Sequence, residues 1–257
     1  MILLGIFLLL IISNRHISRK LVLERFINAG LEYKQEKNFY GGLSINQNKV
    51  LHITDTIFSY EDYIDNISCF RIPSVITYNN KIIVFAEARI HSCDDCSITG
   101  IVSKTSYDGI HFNEMDWVVY PTDRIGNFVT LLDNNKIIAH YSLGGHYRDG
   151  YWDCAPALEN RQIISYNFGK SWSELGNISG LGKYQGLQAG PGNSAIIVNN
   201  SYLFAAHYLT AYRKNGGVVL YKSNNLGKLY KPIHFFPNMD EPAIINMKNG
   251  TLLLNMR

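Results

Sequence analysis

Charge is sparse in this chain. Only 18% of its 257 residues are Lys, Arg, Asp or Glu, and they balance to a formal +3. So small an excess excludes a nucleic-acid footprint, and the basic cluster RHISRK at 15–20 is short. Metal-ligand spacing is lacking as well. The eight histidines show no metal pair. CDDC at 93–96 has C-x-x-C spacing, but no second Cys or His pair stands at ligand spacing nearby, so it reads as loop thiols or a disulfide. No metal or other cofactor is expected. Cysteine is scarce too. Cys69, Cys93, Cys96 and Cys154 could pair in three ways in an oxidising compartment, and spacing chooses none. A bilayer-length apolar run is missing. The opening block MILLGIFLLLIIS is about a dozen residues, too short to span comfortably and matched to a signal-peptide core. No Lys or Arg precedes it, which leaves a short uncleaved anchor as the alternative. Sequons at Asn66, Asn177, Asn199 and Asn249 agree with entry into the secretory pathway.

What the chain has in plenty is aromatic residues, 12% with 17 Tyr, a bias towards β structure. Four segments repeat a pattern of apolar run, Asn-rich turn and apolar run: VITYNNKIIVF, TLLDNNKIIAH, AIIVNNSYLFAA and AIINMKNGTLLLN. Asn-Asn and Asn-Gly tolerate the positive φ of tight hairpin turns, so each segment predicts a hairpin. A second motif follows the first three: SYDGIHF from Ser106, SYNFGKSW from Ser165 and SNNLGKLY from Ser223, with starts 59 and 58 residues apart. Ser, then Asp or Asn, then Gly and a closing aromatic describe a self-bonded turn pinned to a core by a ring. A further strand precedes each turn (ITGIVSK, RQIISY, GVVLYK), and DWVVY follows the first. Four strands per repeat of that length predict the blade of a β-propeller.

The second motif resembles the Asp box of sialidases, a structural turn between the third and fourth strands of a blade. Asp108 keeps the acid, whereas Asn167 and Asn225 replace it. Other residues carry the functional resemblance. FRIP at 70–73 resembles the family's F/Y-R-I-P signature, FAEARIHSCDD at 85–95 its arginine and acidic loop, and MDEPAIINMKNGTLLLNMR at 239–257 its Glu-to-Arg segment. HYSLGGH and AGPGNSAII are similar to the animal lysosomal sialidase in particular. The resemblance implies an all-β, six-bladed propeller of the sialidase type. At the repeat spacing, Phe70–Arg257 holds roughly three blades and the first hairpin of a fourth. The sequence therefore reads as a fragment, expected to be inactive alone. The expected organisation is a signal peptide or anchor at 1–13, an N-terminal extension at 14–49 and a partial propeller at 50–257.

Blade topology sorts the candidates without reference to the family. Starts of first strands, ends of second strands and the loops that follow lie at one face, and the Asn hairpins lie at the other. Arg71 and Glu241 fall at the start of first strands, Arg89 and Arg257 at the end of second strands, and Asp94 and Asp95 in the adjoining loop. Taken singly, Arg71 reads as a strand-edge charge with a packed stem, Asp94 and Asp95 as a solvated loop, and Arg257 as a tail. Their shared face and the FRIP context favour substrate binding.

The resemblance further implies an exo-α-sialidase, hydrolysing terminal sialic acids of glycoproteins, oligosaccharides or gangliosides with retention. Arg71 and Arg257 would hold the sugar carboxylate with planar guanidinium donors. Arg89 would contact the ring near its 4-hydroxyl. Glu241 would assist a Tyr nucleophile, the exception to two-carboxylate glycosidases. The acid/base falls on Asp95 by lysosomal-type spacing and on Asp94 by cytosolic-type spacing, with Asp95 preferred. The third Arg and the Tyr belong to later blades, and neither Tyr212 nor Tyr230 occupies the right place in the repeat. A carboxypeptidase-type lysosomal partner is also implied, with a lysosomal or extracellular location. Membrane association would come only through the N-terminus or a glycolipid substrate. The other reading is a secreted, non-catalytic propeller that binds glycans or protein.

Overall fold

The structure, a computed structural model, describes residues 8–9, 21–27, 51–59, 62, 66–144, 147–148, 151–152, 159–182, 188–189, 194–208, 216–225, 227–247 and 250–257. Most of the apolar opening block, the RHISRK cluster, Cys154, Tyr212 and Asn249 lie outside the described residues. Two compact units are present, Met1–Glu61 and Asp62–Arg257. In the first, β1 (Leu8–Leu9), β2 (Leu21–Ile27) and β3 (Leu51–Phe58) form an antiparallel sheet in that order.

The second unit is a series of antiparallel sheets built from the repeats. Strands β4 (Ile67–Tyr78), β5 (Lys81–Ile90), β6 (Thr99–Ser106) and β7 (Asp116–Val119) follow one another across the first blade. Next come β8 (Ile125–Asp133) and β9 (Lys136–Leu143), then a small pair, β10 (Tyr147–Arg148) and β11 (Tyr151–Trp152). Blade two is completed by β12 (Glu159–Ser165) and β13 (Ser173–Asn177). In blade three, β14 (Gln188–Ala189) and β15 (Ala195–Val198) both pair with β16 (Ser201–Tyr208), followed by β17 (Gly217–Ser223) and β18 (Lys231–Pro237). The last hairpin is β19 (Ala243–Asn246) and β20 (Leu252–Asn255).

First strands of successive blades touch in the order β4, β8, β15, β19. The outer strands β13 and β18 are largely exposed, while β5, β9 and β16 are almost wholly buried. This is a partial β-propeller, with cores packed between blades. Phe85, Ile101, Phe128 and Ile137 are among the side chains filling the space between the first two. Val129, Ile164, Phe204 and Tyr221 help fill the next. Each such side chain contributes about 1.5–3 kcal/mol by leaving water. His140 is buried there between Phe204 and Tyr230, and desolvation pushes its imidazole down to about 3, so it stays neutral.

The turns follow the expected chemistry. Asn79 and Asn80 take φ 45° and 61°, and Asn199 and Asn200 take 49° and 59°, as a primed two-residue hairpin turn requires. The fourth hairpin is longer. Met247 N donates to Thr251 O, and Gly250, at φ 81°, donates to Met247 O. All three Asp-box turns close alike. Ser106, Ser165 and Ser223 Oγ accept from Gly109, Gly169 and Gly227 N at 2.8, 2.8 and 3.1 Å. Asp108 Oδ1 accepts from Ile110 and His111 N, while Asn167 and Asn225 Oδ1 accept from Ser171 and Leu229 N. Asn can replace Asp here because the backbone N–H groups of the turn need an acceptor oxygen, which both supply.

Candidate functional site

Opposite the Asn hairpins, the first blade carries a compact ionic cluster. In β4 the register with β5 shifts between Arg71 and Ser74, and Ile72 sits at φ 48°. For a β-branched residue that conformation costs about 1–3 kcal/mol. The bulge interrupts the ladder between Arg71, which pairs with Glu87, and Ser74, and the Arg71 side chain is 33% exposed. Blade two repeats the bulge between Gly126 and Val129, with Asn127 at φ 55°.

Asp95 is the hub of this cluster. Its Oδ1 accepts from Arg71 Nη1 at 2.5 Å and from Arg89 Nη1 at 2.8 Å. Partial burial works against ionisation, but Arg89, and after it Arg71, hold the carboxyl below the usual carboxylate range. Asp95 is 66% exposed, so this ionic centre opens to solvent. Asp94, its neighbour, turns away: Asp94 Oδ2 accepts from Ser92 Oγ at 2.7 Å, within its own loop.

The acidic loop is anchored from several sides. A Cys69–Cys93 disulfide, with Cα atoms 5.7 Å apart, joins it to β4 two residues before Arg71. Cys96 is also disulfide-bonded, so 93–96 is not an intraloop redox pair. Arg89 Nη1 donates to Cys93 O at 2.9 Å, and Arg124 Nε donates to Asp95 O at 2.8 Å.

Glu87 is a residue that the motif reading missed. Its side chain and that of Arg89 are each 5% exposed, and Oε2 accepts from Arg89 Nη2 and Nε at 3.0 and 3.3 Å. Oε1 accepts from Asn127 N at 2.8 Å, tying blade one to the bulge of blade two. A side chain at Gly126 would crowd that oxygen, its Cβ lying 3.2 Å away. Strand periodicity could have found Glu87, since it lies two residues before Arg89 on the same face.

A second cluster surrounds the last hairpin. Arg257 and Asp240 exchange backbone hydrogen bonds, each 2.8 Å, and Glu241 takes φ 40°. Arg257 Nη2 lies 3.1 Å from Glu241 Oε1 and 3.4 Å from Asp240 Oδ2. His207 Nδ1, from β16, lies 2.8 Å from Asp240 Oδ1. Arg71, Arg89 and Asp95 thus meet in one group, and Glu241 and Arg257 meet in another. Tyr230 is fully buried in the core, where desolvation raises its phenol well above the ordinary range.

No family model and no curated protein sequence matches the chain. Solved structures do. Trypanosoma rangeli sialidase in complex with 2,3-difluoro-KDN aligns at TM-score 0.58 and 19% identity, over 74% of this chain and 34% of that one. The same protein with the inhibitor DANA aligns at 0.59 and 17%, over 91% and 39%. Zg3597, a family 117 glycoside hydrolase from Zobellia galactanivorans, aligns at 0.54 and 15%, over 78% and 69%. The chain spans between a third and two fifths of the sialidase it matches. These likenesses show a sialidase-like β-propeller fold.

Proposed function

We propose that this chain is part of an exo-α-sialidase that removes terminal sialic acids with retention. The observation that carries the reading is Asp95 shared between the guanidinium groups of Arg71 and Arg89, on the strand ends that a sialidase-type blade turns towards substrate. Arg71 and Arg257 clamp the sugar carboxylate, and Arg89 meets the ring. A carboxylate arriving at Arg71 takes the place of Asp95, which thereby loses a counter-charge. Its affinity for a proton rises, and it becomes able to protonate the departing glycosidic oxygen.

Glu241 takes the proton of a tyrosine supplied by a later blade as the phenol oxygen bonds to the anomeric carbon and the aglycone leaves. Asp95 then deprotonates the water that breaks this bond, releasing free sialic acid. A neutral phenol suits a substrate that already carries a carboxylate, since an anionic nucleophile would be repelled. The natural substrates are sialylated glycoproteins, oligosaccharides or gangliosides in the secretory pathway or lysosome, where a carboxypeptidase-type protein is the proposed partner.

The test is to express this chain and the longer reading frame that supplies the missing Arg and Tyr, and to assay both on a fluorogenic sialoside at acidic pH. The longer protein should release the aglycone, with the sugar first appearing by proton NMR as the anomer of the substrate, and the 257-residue chain should not. Binding of sialosides without turnover by the longer protein would favour the non-catalytic propeller.

A further inference from the structure

In the first and third blades the side chain six residues into the second strand reaches the next blade, whereas Ser142, at that place in β9, bonds Gly126 O of its own blade. In β5 it is Glu87, whose Oε1 takes the backbone N–H of Asn127 in the bulge of β8. In β16 the same rung holds His207, and its Nδ1 lies 2.8 Å from Asp240 Oδ1, immediately ahead of β19. Asp240 extends this contact in two further directions. Oδ1 also accepts from Glu241 N at 2.8 Å, and Oδ2 faces Arg257 Nη2 at 3.4 Å.

We propose that Asp240 is a positioning residue that fixes Glu241 and Arg257, and that His207 anchors it from the neighbouring blade. The inference rests on the reading of Glu241 and Arg257 as substrate-facing groups. Glu241 needs such help: φ 40° is unfavourable for a residue with a Cβ, and the carboxylate on its N–H stabilises that turn. Arg257 needs it for another reason. Its guanidinium is 70% exposed, and an exposed arginine is held only by partners that restrict its rotamers.

Among the described residues, the charged or titratable groups facing Asp240 are His207, Arg257 and Glu241. His207 leads in holding its carboxyl far below the usual range. Asp240 therefore stays ionised in an acidic compartment.

Two measurements test this. In the longer protein, Asp240→Ala should lower kcat/KM about a hundredfold, through both kcat and KM, and His207→Leu about tenfold, with melting temperatures little changed. His207→Asn, whose amide donates from the place of Nδ1, should restore most of the loss. Equal loss in His207→Leu and His207→Asn, or a loss that merely follows melting temperature, would overturn the positioning role. In the 257-residue chain, with aspartate carboxyl carbons labelled, the NMR titration midpoint of Asp240 should rise in His207→Leu. An unchanged midpoint overturns the anchor even if the wild-type protein hydrolyses sialosides. A wild-type protein inert on sialosides, with the midpoint still rising, would instead remove the sialidase reading and leave the anchor standing.

Discussion

The two halves of the candidate site use one backbone device in different settings. In the first blade Ile72, at positive φ beside Arg71, belongs to a strand backed by three others, and the carboxylate organising it, Glu87, is buried. At the last hairpin Glu241 is itself the positive-φ residue, just ahead of β19, and the organising carboxylate, Asp240, is partly exposed. The difference teaches where each half draws its order. The first is set by its own sheet, a disulfide and buried charge pairing; the second borrows order from His207 of the preceding blade.

The largest effect should come from breaking the buried side of this contrast. Glu87→Ala leaves Arg89 buried without its main partner, and should cost about 3–5 kcal/mol in urea unfolding of this chain. A loss of similar size from Asp240→Ala would erase the contrast, since its pair with Arg257 is partly open to water.

Acid should act on both halves in the same direction. The carboxyls of Asp95 and Asp240 are lowered by their partners in the folded chain. The stability they supply is therefore present above the ordinary carboxylate value of about 3.9 and lost as pH falls through their folded values. Removing one guanidinium from the first half gives a sharper comparison. Arg71→Met should move the upper pH limit of kcat/KM, set by Asp95 in the free enzyme, upwards, and Asp240→Asn should leave that limit in place. Smallest of all is the Asp-box face, remote from both halves. Asn167→Asp preserves the acceptor oxygen and should change unfolding free energy by no more than about 0.5 kcal/mol.

Much of this was legible before any coordinates. Asn-rich turns between apolar runs marked the four hairpins, and the Ser-to-Gly spacing marked blade period, because both depend on local backbone chemistry. Glu87 and His207 were not legible as partners, since each acts on a strand of the next blade, 40 and 33 residues away respectively, where no local pattern reports the contact. The bulge at Ile72 was hidden for a similar reason. Ile is among the last residues expected at positive φ, and the surrounding sheet imposes that conformation. Sequence spacing left Asp94 and Asp95 as rivals with Asp95 preferred, and it could not report their contacts: Asp95 meets two arginines while Asp94 bonds within its own loop.

The most direct measurement is steady-state hydrolysis of a fluorogenic sialoside at acidic pH by the longer protein and its two aspartate variants. Asp95→Ala should lower kcat/KM about a thousandfold, whereas Asp94→Ala should stay within about threefold of wild type. Loss of activity in Asp94→Ala with activity retained in Asp95→Ala would contradict the assignment of the acid to the aspartate between Arg71 and Arg89.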